Sequence, residues 1–219
     1  MARAASEPGQ TFDRSASAWA GERVGHRYSP ALETSLEALF TSVAIVALAE
    51  IGDKTQLLSV ALTARYRRPW PIIAGILVAT LLNHALASAA GAWVSSVLGP
   101  LVLRWVVALS FLAMSLWILV PDKLDDVSAR PGRFGVFGTT LVAFFIAEMG
   151  DKTQIATVAL AAKYSAFYTI VAGTTAGMLV ANVPVVLLGD RIAKLVPVHV
   201  VRKIAAVLFA ILGVIALIA

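Results

Sequence analysis

The chain of 219 residues is 59% hydrophobic and 14% charged, with a mean hydropathy of +0.83, whereas a soluble domain usually runs at about 45–50% apolar and about 25% charged. That balance argues against a water-soluble enzyme, and despite 18 Lys and Arg against 13 Asp and Glu it excludes a disordered or nucleic-acid-binding tail protein. The absence of cysteine removes disulfides, zinc–thiolate sites, iron–sulfur clusters and thiol catalysis, which leaves a polytopic membrane protein.

In chain order, residues 1–33 read as a disordered polar tail, with a regulatory or partner-binding tail as the alternative. The stretch lacks the apolar core of a signal peptide, and Glu7, Asp13 and Glu22 speak against an organellar transit peptide. Six apolar stretches of membrane-spanning length follow: Leu36–Ala64, Trp70–Val94, Val102–Val120, Val136–Ala162, Phe167–Leu188 and Val198–Ile218. Residues 34–120 and 136–219 are expected to form two units of three transmembrane helices, joined by a cytoplasmic linker at 121–135. Loops after the first, third and fifth spans hold 10 Lys and Arg, against 6 for the tail and the other loops. The positive-inside rule then places those loops in the cytoplasm and both termini outside.

An offset of 98 positions aligns the two units, with 11 of 16 residues identical between Ala49–Ala64 and Ala147–Ala162. The same offset pairs Gly75 with Gly173, Arg104 with Arg202 and Phe111 with Phe209. Three spans is an odd number, so the second copy enters the membrane from the opposite side. The expected fold class is therefore an all-α polytopic membrane protein, six transmembrane helices arranged as two inverted three-helix repeats. Such repeats characterise secondary transporters, whose sites lie near the midplane at the repeat interface. Two equivalent half-sites facing opposite sides suit alternating access.

Most charges lie in the tail and the loops, but Glu50, Asp53 and Lys54 sit inside the first span and Glu148, Asp151 and Lys152 inside the fourth. On a continuous helix Glu50 lies three and four residues before Asp53 and Lys54, so all three share a face, and Gln56 extends the stripe. Gly52 and Gly150 allow close approach of a helix or an ion, or mark a local break. Each ionisable group at the bilayer centre costs roughly 2.5–3.5 kcal/mol, so the groups must face one another or a wet cavity. One reading makes Lys54 and Lys152 structural ion-pair partners that each neutralise one acid. Two excess carboxylates then remain, and two negative charges facing each other across the repeat axis suit a divalent cation.

Carboxylates of Glu50, Asp53, Glu148 and Asp151 are the expected cation and proton ligands. Amide oxygens of Gln56 and Gln154, hydroxyls of Thr55 and Thr153, and the amides of Asn83 and Asn182 are further candidates, interhelical hydrogen bonding being the alternative for the two asparagines. Oxygen-only sites suit Ca²⁺, Mn²⁺ and Mg²⁺ rather than Cu⁺ or Zn²⁺. A proton competes with the metal for the same oxygens, which supplies a mechanism for exchange. His84, in the second span, is either a proton relay or a structural hydrogen-bonding group.

Twin Glu-x-Gly-Asp-Lys-Thr segments at Glu50–Thr55 and Glu148–Thr153, each opening a three-span repeat, resemble the small Gdt-type cation/proton exchanger family, known through its Golgi members. The hydrophobic x position (Ile51, Met149), the basic residue after Asp and the following Thr all fit the family's pattern, twice. The resemblance covers nearly everything from Leu36 onwards. It implies export of Mn²⁺ and Ca²⁺ from the cytosol in exchange for protons, with Glu50, Asp53, Glu148 and Asp151 as ligands. No resident cofactor is expected, the metal being cargo. Partners are then divalent cations, protons and the lipid bilayer, with a homo-oligomer left open and no nucleic acid. A length below that of eukaryotic relatives and the lack of a presequence point to a bacterial plasma membrane. The competing classes are a lysine-exporter-like efflux protein for a small basic metabolite, an intramembrane enzyme and a non-transporting scaffold. The enzyme lacks a His, Cys or Ser within one helical turn of the acids.

Overall fold

A computed structural model describes residues 30–120, 135–189 and 197–218. Most of the expected tail, nearly all of the linker, and Arg191 and Lys194 lie outside the described residues. Eight helices form among the described residues: α1 (Pro30–Glu50), α2 (Lys54–Tyr66), α3 (Pro69–Val97), α4 (Pro100–Trp117), α5 (Gly135–Glu148), α6 (Lys152–Tyr164), α7 (Phe167–Leu188) and α8 (Val198–Ile218). Thus α1 starts inside the stretch assigned to the tail, with Pro30 at its first position and Glu33 in its first turn, both favourable at a helix N-terminus.

Five of these helices are long and apolar enough to cross a membrane: α1 from Leu32, α3, α4, α7 and α8. The expected first and fourth spans are not single helices. Each is interrupted at its motif, giving α1 then α2, and α5 then α6, with α5 only 14 residues long. The interruption has the same form twice. Gly52 and Gly150 take φ of +77° and +74°, and Asp53 and Asp151 follow in extended conformation at ψ of 170°. Left-handed backbone suits glycine, since a Cβ there is strained. Downstream, α2 and α6 both stop on a left-handed residue, Arg67 (φ 51°) and Ser165 (φ 50°). Prolines Pro69 and Pro100 open α3 and α4, where their missing N–H costs nothing.

Central positions fall to α3 and α7, and small residues let their neighbours close in. A Cβ on Gly75 would lie 2.7 Å from Thr140 Cβ of α5, and one on Gly173 would lie 2.8 Å from Ser42 Cβ of α1. Such close backbone approach is how helices associate where lipid supplies no hydrophobic driving force. Further along, Asn83 Nδ2 donates to the Phe145 carbonyl at 3.2 Å, so α5 runs in the direction of α3. One apolar cluster joins α1, α4, α6 and α8, with Ile170 of α7, around Phe111 and Phe209, and a second joins α1, α2, α3, α5 and α7 around Phe144, Ile72 and Ile76. Leu101, Trp105, Leu109 and Leu116 of α4 and Ile204, Val207 and Ile211 of α8 stay exposed, as a lipid-facing surface requires.

Candidate functional site

The two interruptions meet inside the helix bundle. Each is held by its own glutamine: Gly52 N–H donates to Gln56 Oε1 at 2.9 Å and Gly150 N–H to Gln154 Oε1 at 2.7 Å. Backbone bonds from Asp53 N–H to Glu50 O (3.0 Å) and from Asp151 N–H to Glu148 O (3.1 Å) complete each turn. Gln56 also donates through Nε2 to the Ala181 carbonyl of α7 at 3.2 Å. Irregular backbone is tolerated at membrane depth where protein buries it or it lines a wet cavity; the Gly52–Gln56 bond is partly buried, whereas Gly150 is exposed.

This geometry replaces the single-helix stripe. Glu50 closes α1 and Lys54 opens α2, so the two do not stack on one helical face. The lysines instead pair crosswise between the copies: Lys54 Nζ lies 2.9 Å from Asp151 Oδ1, and Lys152 Nζ lies 3.0 Å from Asp53 Oδ1. The second pair is sealed, both side chains being 2% exposed, while Lys54 is 25% exposed. The glutamates are anchored within their own copies, as Thr55 Oγ1 donates to Glu50 Oε2 and Thr153 Oγ1 to Glu148 Oε2.

One oxygen of each carboxylate is thereby engaged. The other, Glu50 Oε1, Asp53 Oδ2, Glu148 Oε1 or Asp151 Oδ2, is buried with no hydrogen-bond partner among the described residues. Glu50, Asp53 and Asp151 can each offer an oxygen such that all three lie within 4.8 Å of one another. Oxygens sharing a Ca²⁺ at about 2.3–2.6 Å lie at most about 5.2 Å apart, so the cluster fits one ion. Glu148 does not join this closest set, although it is fully buried beside it in the chain. Four carboxylates against two lysines leave two negative charges, which a divalent cation or two protons neutralise.

The remaining sequence candidates separate. Asn83 keeps Oδ1 buried and unpartnered among the described residues, whereas Asn182 accepts from Ser59 Oγ at 2.8 Å and donates to Met178 O. Gln56 and Gln154 spend an oxygen on the glycine N–H, and Thr55 and Thr153 spend their hydroxyl proton on the glutamates, so all four shape the site before they could ligate. His84 is fully buried, and neither ring nitrogen has a hydrogen-bond partner among the described residues. Close approach occurs at Gly52, where a Cβ would lie 2.1 Å from Val198 Cγ1 of α8, but no described atom lies within 4 Å of one at Gly150. Sequence reasoning missed Arg202, whose Nη2 donates to the Gly52 carbonyl at 2.8 Å. Its 98-residue pairing with Arg104 was the available signal.

Reversible capture of a cation by oxygen ligands among apolar helices is the chemistry of a membrane ion carrier. The sequence profile of the "Divalent cation/proton antiporter GDT1" family matches residues 38–126 and 136–219. The chain belongs to this family and is an integral membrane antiporter of divalent cations and protons, not an enzyme. It is 53% identical over 178 residues to a Vibrio cholerae protein described as a "Putative manganese exporter", covering 81% of this chain and 88% of that one. A GDT1-like protein of Synechocystis is 24% identical over 80% of this chain and 93% of its own. GDT1-like protein 3 of rice is 26% identical over 79% of this chain and 71% of its own. No solved structure matches the chain.

Proposed function

We propose that the chain exports Mn²⁺, with Ca²⁺ as a second substrate, from the cytosol in exchange for protons, and that the four motif carboxylates carry both. The observation that carries this reading is the set of four buried carboxylate oxygens without partners among the described residues, one per acid, where two interrupted helices meet. Buried acceptors of this kind demand a proton or a cation, and the same oxygens accept either. The name of the Vibrio relative favours manganese.

Alternating access follows if residues 34–120 and 136–219 are inverted repeats of three spans, α1–α2 and α5–α6 each counting as one broken span. Support comes from the packing: α1 lies against α6 and α2 against α5, the first half of each broken span meeting the second half of the other. Crosswise lysine pairing supports the same relation. The basic bias of the loops after the first, third and fifth spans puts them in the cytoplasm and both termini outside, in a bacterial plasma membrane. A homo-oligomer is compatible with the exposed apolar faces of α4 and α8, which lipid would cover equally well.

The test is uptake of Mn²⁺ or Ca²⁺ into proteoliposomes of the purified chain, with and without an imposed pH gradient. Uptake accelerated by an acidic lumen, and slowed to the rate the cation gradient alone sustains when the pH gradient is dissipated, is the expected result. Uptake indifferent to the gradient, in vesicles shown to hold it, would overturn the exchange.

A further inference from the structure

Arg104 and Arg202 occupy equivalent places 98 residues apart, yet their surroundings differ. Arg202 reaches the carbonyl of Gly52 at 2.8 Å, and Val198, one turn earlier on α8, covers the same glycine. This carbonyl lies just past the end of α1, where no helical N–H is available, so the guanidinium supplies a charge-assisted bond in its place. Among the described residues, Arg104 makes no equivalent clasp. It is exposed and lines a cavity of about 230 Å³ with Leu103, Val107, Ala162 and Lys163.

The asymmetry extends to whole helices. α4 and α8 pack together through Phe111 and Phe209, whose ring centroids are 6.1 Å apart, and both join the apolar cluster of α1 and α6. Neither contributes to the cluster of α2 and α5. Under the 98-residue pairing α1 corresponds to α5, α6 to α2 and α4 to α8, so a pair resting on α1 and α6 has a mirror arrangement resting on α5 and α2.

We propose that Arg202 and Arg104 are alternating latches and that the α4–α8 pair is the moving element. In the present conformation Arg202 clasps the first interruption. In the mirror conformation the pair leans onto α2 and α5, Arg202 releases Gly52, and Arg104 takes the carbonyl of Gly150. Both are positioning residues, because each carbonyl immediately precedes a motif aspartate, so clasp and release move that carboxylate. The inference rests on the alternating-access reading above.

The chain has no cysteine, so introduced pairs can be cross-linked cleanly in proteoliposomes. Leu103→Cys/Ala162→Cys reports the present conformation, and Val201→Cys/Ala64→Cys, the same positions under the pairing, reports its mirror. Both pairs should cross-link in the presence of Mn²⁺. Arg202→Gln should shift the ratio about tenfold or more toward the mirror pair, the scale of a lost charge-assisted bond; Arg104→Gln should shift it the other way, and Arg202→Lys should restore part of the balance. A mirror pair that never cross-links, or a ratio that neither arginine variant moves, overturns the latches. Should Arg202→Gln fail to fold, Arg104→Gln at its exposed position reads the same equilibrium. A separate Mn²⁺ flux assay on the unsubstituted chain distinguishes the failures: absent flux with a responsive ratio removes the transport reading alone, and intact flux with an unresponsive ratio removes the latches alone.

Discussion

Lys54 and Lys152 stand at identical places in identical motifs, yet burial makes them unequal. Removing one partner of a sealed ion pair leaves an uncompensated charge and costs about 3–5 kcal/mol. Lys152→Ala should therefore lower unfolding stability in detergent by that order, because its partner Asp53 is 2% exposed. Lys54→Ala should cost less, since water or headgroups reach its position at 25% exposure and can solvate the stranded Asp151, itself 4% exposed. Equal losses in thermal unfolding would contradict the packing described. The two glycines divide in the same way. Gly150→Ala should cost about 1–2 kcal/mol from left-handed backbone alone, whereas Gly52→Ala adds a clash at 2.1 Å with Val198. A larger loss for Gly150→Ala would show that the two interruptions have been wrongly ranked.

At the level of the elements, the apolar runs and the 98-residue duplication were legible because hydropathy and repetition are written along the chain, whereas the start of α1 at Pro30 rather than Leu36 was not. The interruptions were legible only as one of two readings of Gly52 and Gly150, a local break, because Glu-x-Gly-Asp-Lys-Thr-Gln also satisfies the three- and four-residue spacing of a continuous helix. Only the tertiary fold shows that Gly52 takes positive φ, that Gln56 caps it, and that Lys54 pairs with Asp151 rather than with a neighbour on its own helix. The charged residues of the candidate cluster could be singled out from charge placement, whereas their pairing could not, since it crosses between copies about 100 positions apart. The glutamine caps carry a prediction of their own. Gln56→Ala strands the Gly52 N–H and the Ala181 carbonyl, and each stranded buried group costs about 1–3 kcal/mol. Gln154→Ala strands only the more exposed Gly150 N–H. Unfolding midpoints should fall further for Gln56→Ala; the reverse order would remove the capping role assigned to Gln56.

For the molecule as a whole, two uncompensated negative charges inside an apolar bundle are stable only with company. Protonation neutralises the same oxygens that would hold a metal, so Mn²⁺ affinity should fall steadily as pH is lowered through the range in which these carboxyls take up protons. Bound Mn²⁺ should likewise raise thermal stability more at high pH than at low pH, by mass action on the folded state. Whether proton and metal share one site is read most directly from the number of protons released when Mn²⁺ binds to the purified chain in weakly buffered detergent solution, beside a Glu50→Gln/Glu148→Gln double variant. Release of one to two protons per ion, lost together with binding in the variant, is the predicted result. Binding without proton release, or release unchanged in the variant, would contradict a shared carboxylate site.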